Sequence, residues 1–363
     1  MCRHLAYLGP PVPVGDLLTR GPHSLRTQSW APRDMRGGGT INADGFGIAW
    51  WTPAPPPHPE GVIWHGGIRQ DDMNNPELQP IPVAPVATRY RNAAPIWTDP
   101  AVDEVLPQIH STAVLAAIRS ATVGMPLERT ACAPFTHGPW AFSHNGAIPD
   151  WRNTLTAVAA EFDSPSLLEA ESMTDSAALW IILRGLLEGF GSEEAESRGS
   201  SSVAADSGPA QAHTVGSAVS LGTSASIRAG ADAAARITGS SWASGSADAS
   251  GAAGMPADHR RAVAGGRRGL APEVALPLVI RAVGERSPRA RLNLLVGDGG
   301  TVWACTWGHA LSVLVGEEFV VVASEPYDDD SRWQAVGDRQ LVVARPGWLS
   351  VQDLDIEIGR AGS

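Results

Sequence analysis

The residue best suited to chemistry is the cysteine of Met1-Cys2-Arg3-His4. Removal of the initiator methionine leaves its thiol on the same residue as a free α-amine. One amino acid then carries a nucleophile and a base, with unperturbed pKa values of about 8.5 and about 7.7–8.0. A thiolate that attacks an amide carbonyl while the amine moves protons performs covalent amide hydrolysis. Four further segments supply other groups. Asn42-Ala43-Asp44-Gly45-Phe46-Gly47 precedes an apolar run and reads as a turn. Arg119-Ser120-Ala121-Thr122-Val123-Gly124 follows a buried run; its arginine suits either a substrate carboxylate or a structural ion pair. His144-Asn145-Gly146 offers a side-chain amide and a backbone N–H to a developing oxyanion, or an Asn-Gly turn. Ser172-Met173-Thr174-Asp175-Ser176 begins a helix, with Ser172 and Asp175 spaced as a capping box or Asp175 available to a substrate ammonium.

Together these groups match the needs of a glutamine-like substrate. A thiol attacks the side-chain amide. Asn145 and Gly146 hold the oxyanion, Arg119 the α-carboxylate and Asp175 the α-ammonium.

Several elements must position them. Strands are expected over 4–8, 45–51, 61–65, 113–118 and 140–143, the last stopped by His144-Asn145-Gly146. A proline-rich link over 53–59 joins the 45–51 and 61–65 arms, and 70–85 is a loop. Helices are expected over 103–109, 151–161, 174–187 and 273–283, the last despite Pro277. Ala178, Leu179, Ile182 and Leu186 fall on one helical face. Hairpins follow at 292–296 with 301–306, at 311–315 with 319–323, and at 341–344 with 348–351. Strands at both ends with helices between predict an α+β protein whose antiparallel sheets are covered by helices. From about 193 to 268 the chain is dominated by Ser, Ala and Gly, too poor in large apolar residues to offset chain ordering, and reads as a disordered insertion in a single domain.

The order of the motifs resembles that of the class II glutamine amidotransferases, which are N-terminal nucleophile hydrolases. The shared elements are Cys2, Asn-x-Asp-Gly-x-Gly at 42–47, Arg-x-Ala-Thr at 119–122, His-Asn-Gly at 144–146 and Thr-Asp-Ser at 174–176. The resemblance implies a four-layer αββα sandwich of two antiparallel sheets. It makes Cys2 the nucleophile with its own amine as base, and Asn145 and Gly146 the oxyanion hole. Arg119, Thr122, His144 and Asp175 become the substrate-binding set. Val123 stands where the glucosamine-phosphate synthase branch has a histidine, and Ala177 where a glutamate often follows. Both departures argue against ammonia transfer to a synthase.

A closer resemblance is to the amidohydrolase branch of ergothioneine biosynthesis. It is carried by Gln28-Ser29-Trp30-Ala31-Pro32-Arg33, Ala133-Pro134-Phe135, Ala290-Arg291-Leu292-Asn293, Thr306-Trp307-Gly308, Leu311-Ser312-Val313-Leu314, and the run from Ala323-Ser324-Glu325-Pro326 to Asp330. It implies removal of glutamate from γ-glutamyl-hercynylcysteine S-oxide through a Cys2 thioester, with Trp30, Trp140, Trp307 and Tyr327 as candidate faces for a quaternary ammonium. A free-standing glutaminase subunit and a non-catalytic γ-glutamyl sensor are the alternatives.

Bulk properties narrow the partners. A net charge of −11 over 363 residues, with scattered basic residues, argues against nucleic acid. No apolar run has the length of a membrane span, and no secretory signal is evident. The three cysteines, Cys2, Cys132 and Cys305, imply no disulfide frame, and Cys305 with His309 is too little for zinc. The expectation is a reduced, cytoplasmic enzyme with no cofactor and no metal, acting on a small γ-glutamyl molecule, its oligomeric state open.

Overall fold

Strands alternate their side chains between two faces, and here both faces of the central strands are apolar. A computed structural model of the chain describes residues 2–34, 41–52, 85–122, 124–189 and 269–356. The expected arm at 61–65, its 53–59 link, most of the 70–85 loop and the 193–268 insertion lie outside the described residues. Those described belong to one of two contact units, 1–190 with 266–363.

One antiparallel sheet has seven strands: β1 (Arg3–Pro13), β2 (Phe46–Thr52), β3 (Val86–Asn92), β4 (His110–Ile118), β9 (Leu311–Val315), β10 (Val320–Ala323) and β11 (Gln334–Val336). Their order is β11-β9-β10-β1-β4-β2-β3. The second has six: β5 (Phe135–His137), β6 (Trp140–Ala147), β7 (Arg291–Gly297), β8 (Val302–Cys305), β12 (Gln340–Arg345) and β13 (Trp348–Asp353), in the order β13-β12-β8-β7-β6-β5.

Alternation divides the core in two. Ala6 and Leu8 of β1, Ala49 and Trp51 of β2, and Ala113 and Leu115 of β4 face Ala141, Leu295, Ala304 and Val342 of the second sheet. Several of these are alanines, which let the sheets approach closely. Leu5, Tyr7, Ile48, Trp50, Val114 and Ala116 face the other way. They are covered by Leu17 and Leu18 of α1 (Asp16–Thr19), Leu25 of α2 (Leu25–Gln28) and Val102 of α3 (Ala101–Glu104). Of the long helices α4 (Trp151–Glu161), α5 (Asp175–Glu188) and α6 (Pro272–Arg286), α5 packs on β6 of the second sheet and α6 on β7, β8 and β12, while α4 packs on α5 and α6. The result is the expected α+β arrangement of two antiparallel sheets covered by helices. Each fully buried Leu or Ile contributes about 1.5–3 kcal/mol relative to exposure, so the two apolar layers fix which strands are neighbours.

Three expectations need correction. The helix at 103–109 is instead α3 followed by a 3-10 turn at Leu106–Gln108, because Pro107 has no N–H to donate to the Asp103 carbonyl four residues back. β6 does not stop at Ser143. Its ladder with β7 continues through His144↔Leu294, Asn145↔Asn293 and Gly146↔Leu292. Ser172 does not cap α5: the cap is Thr174, whose Oγ1 accepts the Ala177 N–H at 3.2 Å, while the Ser172 hydroxyl donates to Glu128 at 2.7 Å. Among the described residues, the partners of β2 are β3 and β4.

Candidate active site

β1 is central because it is apolar on both faces, and its first residue pairs Arg3 with Ile118 at the end of β4. Cys2 therefore stands beside the segment that follows β4. Its thiol is 3.7 Å from the Ser120 carbonyl. The next residue back, Arg119, is tied to the start of β2: its N–H donates to the Gly45 carbonyl at 2.8 Å and its carbonyl accepts the Asp44 N–H at 3.1 Å. Asp44 also accepts the Ala121 N–H at 2.7 Å. The Asn42–Gly47 motif thus braces the arginine turn. Gly45 is obligatory here: its φ is +108°, and a Cβ would lie 2.4 Å from the Cys132 sulfur.

The second sheet supplies the opposite wall. Ser143 and His144 of β6, with Ser176 of α5, line a pocket that also contains Cys2, Arg119 and Phe135. Its volume, counted out to the open mouth, is about 310 Å³. The His144 Nε2 lies 2.9 Å from the Arg291 carbonyl and its Nδ1 3.0 Å from the Ser176 hydroxyl. A carbonyl can only accept, so in the neutral ring Nε2 carries the proton and Nδ1 accepts from Ser176. Gly146 is required by close approach rather than by a turn: a Cβ there would meet the Arg291 carbonyl oxygen at 1.9 Å.

Behind the pocket lies a buried polar layer. The His4 Nδ1 is 3.3 Å from the Ser143 hydroxyl. Burial, with His144, His309 and Arg3 nearby, pushes His4 down to about 3, so its ring is neutral at working pH. Asn145 is 1% exposed, and its Nδ2 donates to the Ser324 hydroxyl at 3.3 Å. Arg3 is buried beside Glu325, Nε to Oε2 at 3.9 Å, and donates to the Cys2 and Asp34 carbonyls. Glu325 in turn accepts the N–H groups of Arg33 and Asp34.

Of the expected site residues, Cys2, Arg119 and His144 meet in the pocket, with Asn145 and Gly146 next along the same strand. Asp175 starts α5 beside Ser176; its oxygens accept the N–H groups of Ile148 at 3.1 Å and Ser176 at 2.8 Å. Thr122 is exposed and does not line the pocket. The Arg119 guanidinium donates to the Pro126 carbonyl at 2.8 Å. Cys132 lies under the pocket between the lining residues Ala131 and Ala133, its thiol pushed up to about 11 by burial. None of the four candidate aromatic residues lines the pocket. Trp307 carries the Arg339 guanidinium 4.6 Å from its ring centre, Tyr327 belongs to the outer core, Trp140 packs on Trp303, and Trp30 is exposed against Trp97. Sequence reasoning gave no role to Ser143, Ser176 or His4, although Ser176 falls within the Thr-Asp-Ser motif and His4 within the segment that opens with Cys2. No group of three or more His, Cys, Asp or Glu among the described residues could hold a metal, and no described helix is long and apolar enough to cross a membrane.

No family model matches the chain. It is 32% identical over 356 residues to the γ-glutamyl-hercynylcysteine sulfoxide hydrolase of Mycolicibacterium smegmatis, covering 98% of this chain and 100% of that protein. It is 31% identical over 355 residues to the protein of the same name from Mycobacterium tuberculosis, covering 98% and 97%. Among solved structures, a glutamine aminotransferase class-II domain protein from Silicibacter pomeroyi aligns over 97% of this chain and 99% of its own, with 17% identity and a TM-score of 0.45.

Proposed function

The chain belongs to the γ-glutamyl-hercynylcysteine sulfoxide hydrolase family, and from that premise we propose that it hydrolyses the γ-glutamyl amide bond of γ-glutamyl-hercynylcysteine S-oxide, releasing glutamate and hercynylcysteine S-oxide in ergothioneine biosynthesis. The observation that carries the reading is the meeting of Cys2, Arg119 and His144 in one pocket. These residues come from three segments far apart in the chain.

In this reading Met1 is removed and the Cys2 amine is the base. The thiol proton passes to that amine as Sγ attacks the γ-carbonyl carbon. The negative oxygen that forms is held by the Asn145 amide and the Gly146 N–H, donors of the kind whose single loss typically costs about 10²–10³-fold in rate. The C–N bond then breaks and the amine returns the proton to the leaving nitrogen. What remains is a γ-glutamyl thioester on Cys2. Water, deprotonated by the same amine, attacks the thioester carbonyl. Glutamate leaves and the thiol is restored.

Arg119 faces the α-carboxylate, the natural partner of a guanidinium fork. The Asp175 carboxylate has four lone-pair sites; the backbone N–H groups it accepts leave capacity for the α-ammonium. The His144 ring, with both nitrogens engaged by Ser176 and Arg291, forms wall rather than base. Thr122 takes part through the turn it shares with Arg119.

The test is glutamate release from γ-glutamyl-hercynylcysteine S-oxide, with glutamine as a parallel substrate. The expected result is turnover of the sulfoxide by the wild type and none by Cys2→Ala. An electrophilic glutamine analogue should add its mass to the peptide beginning at Cys2. Turnover by Cys2→Ala, or a label on Cys132 alone, would refute the mechanism; rapid release from glutamine with none from the sulfoxide would refute the substrate.

A further inference from the structure

Ser324 lies at the end of β10, inside the run from Ala323 to Asp330 that the chemistry above does not use. It is 3% exposed. Its N–H donates to the His4 carbonyl at 2.9 Å, and its Oγ accepts the His4 N–H at 3.0 Å. These two bonds carry the β1–β10 ladder one residue past its Leu5↔Ala323 pair. The same Oγ accepts from the Asn145 Nδ2 at 3.3 Å, across the gap between the sheets. One hydroxyl oxygen therefore joins the strand that begins just after the nucleophile to the strand that carries the oxyanion donor.

We propose that Ser324 is a positioning residue for the reaction: it fixes the plane of the Asn145 side-chain amide relative to Cys2, so that one Nδ2 hydrogen is spent on Ser324 and the other is left for the acyl oxygen. The inference rests on the reading of Asn145 as an oxyanion donor.

Three considerations support it. A side-chain amide turns about its last torsion in a broad, roughly two-fold well, so packing alone fixes it poorly. The Asn145 Oδ1 is buried and has no partner among the described residues, so the bond to Ser324 is what orients this amide. Ser324 is held to the backbone of His4, two residues from the sulfur. Any displacement of the nucleophile strand therefore moves the amide with it. Catalytic geometry is sensitive at this scale, and a 1 Å misplacement can cost about 10²-fold.

The experiment is a double-mutant cycle on glutamate release, using the full chain, with Ser324→Ala, Asn145→Ala and the double variant. Thermal melting accompanies each. Ser324→Ala is expected to lower kcat by roughly 10–100-fold with KM within about twofold of wild type, since the lost interaction matters at the transition state. Asn145→Ala should lose roughly 10²–10³-fold. If Ser324 acts through Asn145, the double variant should be no slower than Asn145→Ala, within about twofold. A merely structural role would give losses that multiply. Should Ser324→Ala fail to fold, Ser324→Cys, with nearly the same shape and a weak acceptor, is measured in its place.

A kcat for Ser324→Ala within about twofold of wild type, or losses that multiply, overturns the proposal. Its failure is separable from failure of the underlying reading. A slow Asn145→Ala with a normal Ser324→Ala removes only the role of Ser324. A normal Asn145→Ala removes the oxyanion reading and the inference with it.

Discussion

The buried His4 ring makes the stability of this protein depend on pH in a way that one substitution should abolish. His4 is 1% exposed, and burial, reinforced by His144, His309 and Arg3, pushes its pKa from 6.5 down to about 3. Between these values the unfolded chain binds a proton that the folded chain refuses. The stability from keeping this ring neutral is fully present above pH 6.5 and is lost as pH falls toward 3. At pH 5 the unfolded histidine is almost wholly protonated and the folded one almost wholly neutral. The loss is about 1.36 kcal/mol for each of the roughly 1.5 pH units below 6.5, or about 2 kcal/mol. His4→Gln replaces the ring with a side chain that does not titrate, while keeping the backbone bonds to Ser324. Urea unfolding followed by tryptophan fluorescence, at pH 7.5 and pH 5, gives the pH increment for each protein. Wild type should lose about 2 kcal/mol more than His4→Gln between the two conditions. A lower starting stability of His4→Gln does not affect that comparison, because every other titrating group is common to both. Equal increments, within about 0.5 kcal/mol, would show that His4 is protonated in the folded state or reached by water.

Two other consequences are measurable. Glu325→Gln keeps the shape that receives the Arg33 and Asp34 N–H groups but removes the charge facing Arg3, whose side chain is 3% exposed. Loss of the carboxylate facing a buried guanidinium should cost about 3 kcal/mol and lower Tm by several degrees, and an unchanged melting curve would show the ion pair to be idle. Alkylation with iodoacetamide at pH 8, read by intact and peptide mass, should modify Cys2 alone. Cys132 is buried with its thiol pushed up to about 11, and Cys305 is buried with its thiol pushed higher still. Comparable labelling of Cys132 would mean that the pocket floor opens in solution.

Sequence alone located the strongly periodic elements. The helix expected at 151–161 is α4 to the residue, and α5 follows within a residue of its expected bounds. The three C-terminal hairpins are present, because alternating apolar runs around Gly or Asp turns have few other ways to pack. β3 escaped notice because Thr88, Arg89 and Arg91 interrupt its apolar pattern; Arg89 and Arg91 both reach Glu171. β5 has only three residues and leaves no period to read. His144-Asn145-Gly146 misled for a physical reason. Asn-Gly favours tight turns when local energetics decide, but here β7 pairs with all three residues and the Arg291 carbonyl occupies the space of a side chain at Gly146. Tertiary context overrode the dipeptide.

The motifs that hold Cys2, Arg119 and His144 were legible, while the pocket in which the three meet was not. Motif order along the chain carries no distance; strand direction does. β1 is antiparallel to both β4 and β10, so its start lies against their ends: Cys2 beside the Arg119 segment, His4 beside Ser324. β2 is antiparallel to β4, which brings Asp44 and Gly45 to the same edge. Given the sheet order, these four contacts follow without further information. That order is decided by which apolar faces fit together across two layers, a collective property of the buried side chains of both layers rather than of any local motif. A substitution that left every motif intact but disturbed the packing of β1 between β4 and β10 should therefore damage the site as surely as loss of a polar group, because β1 carries Cys2 at its start and holds Ser324 through the backbone of His4.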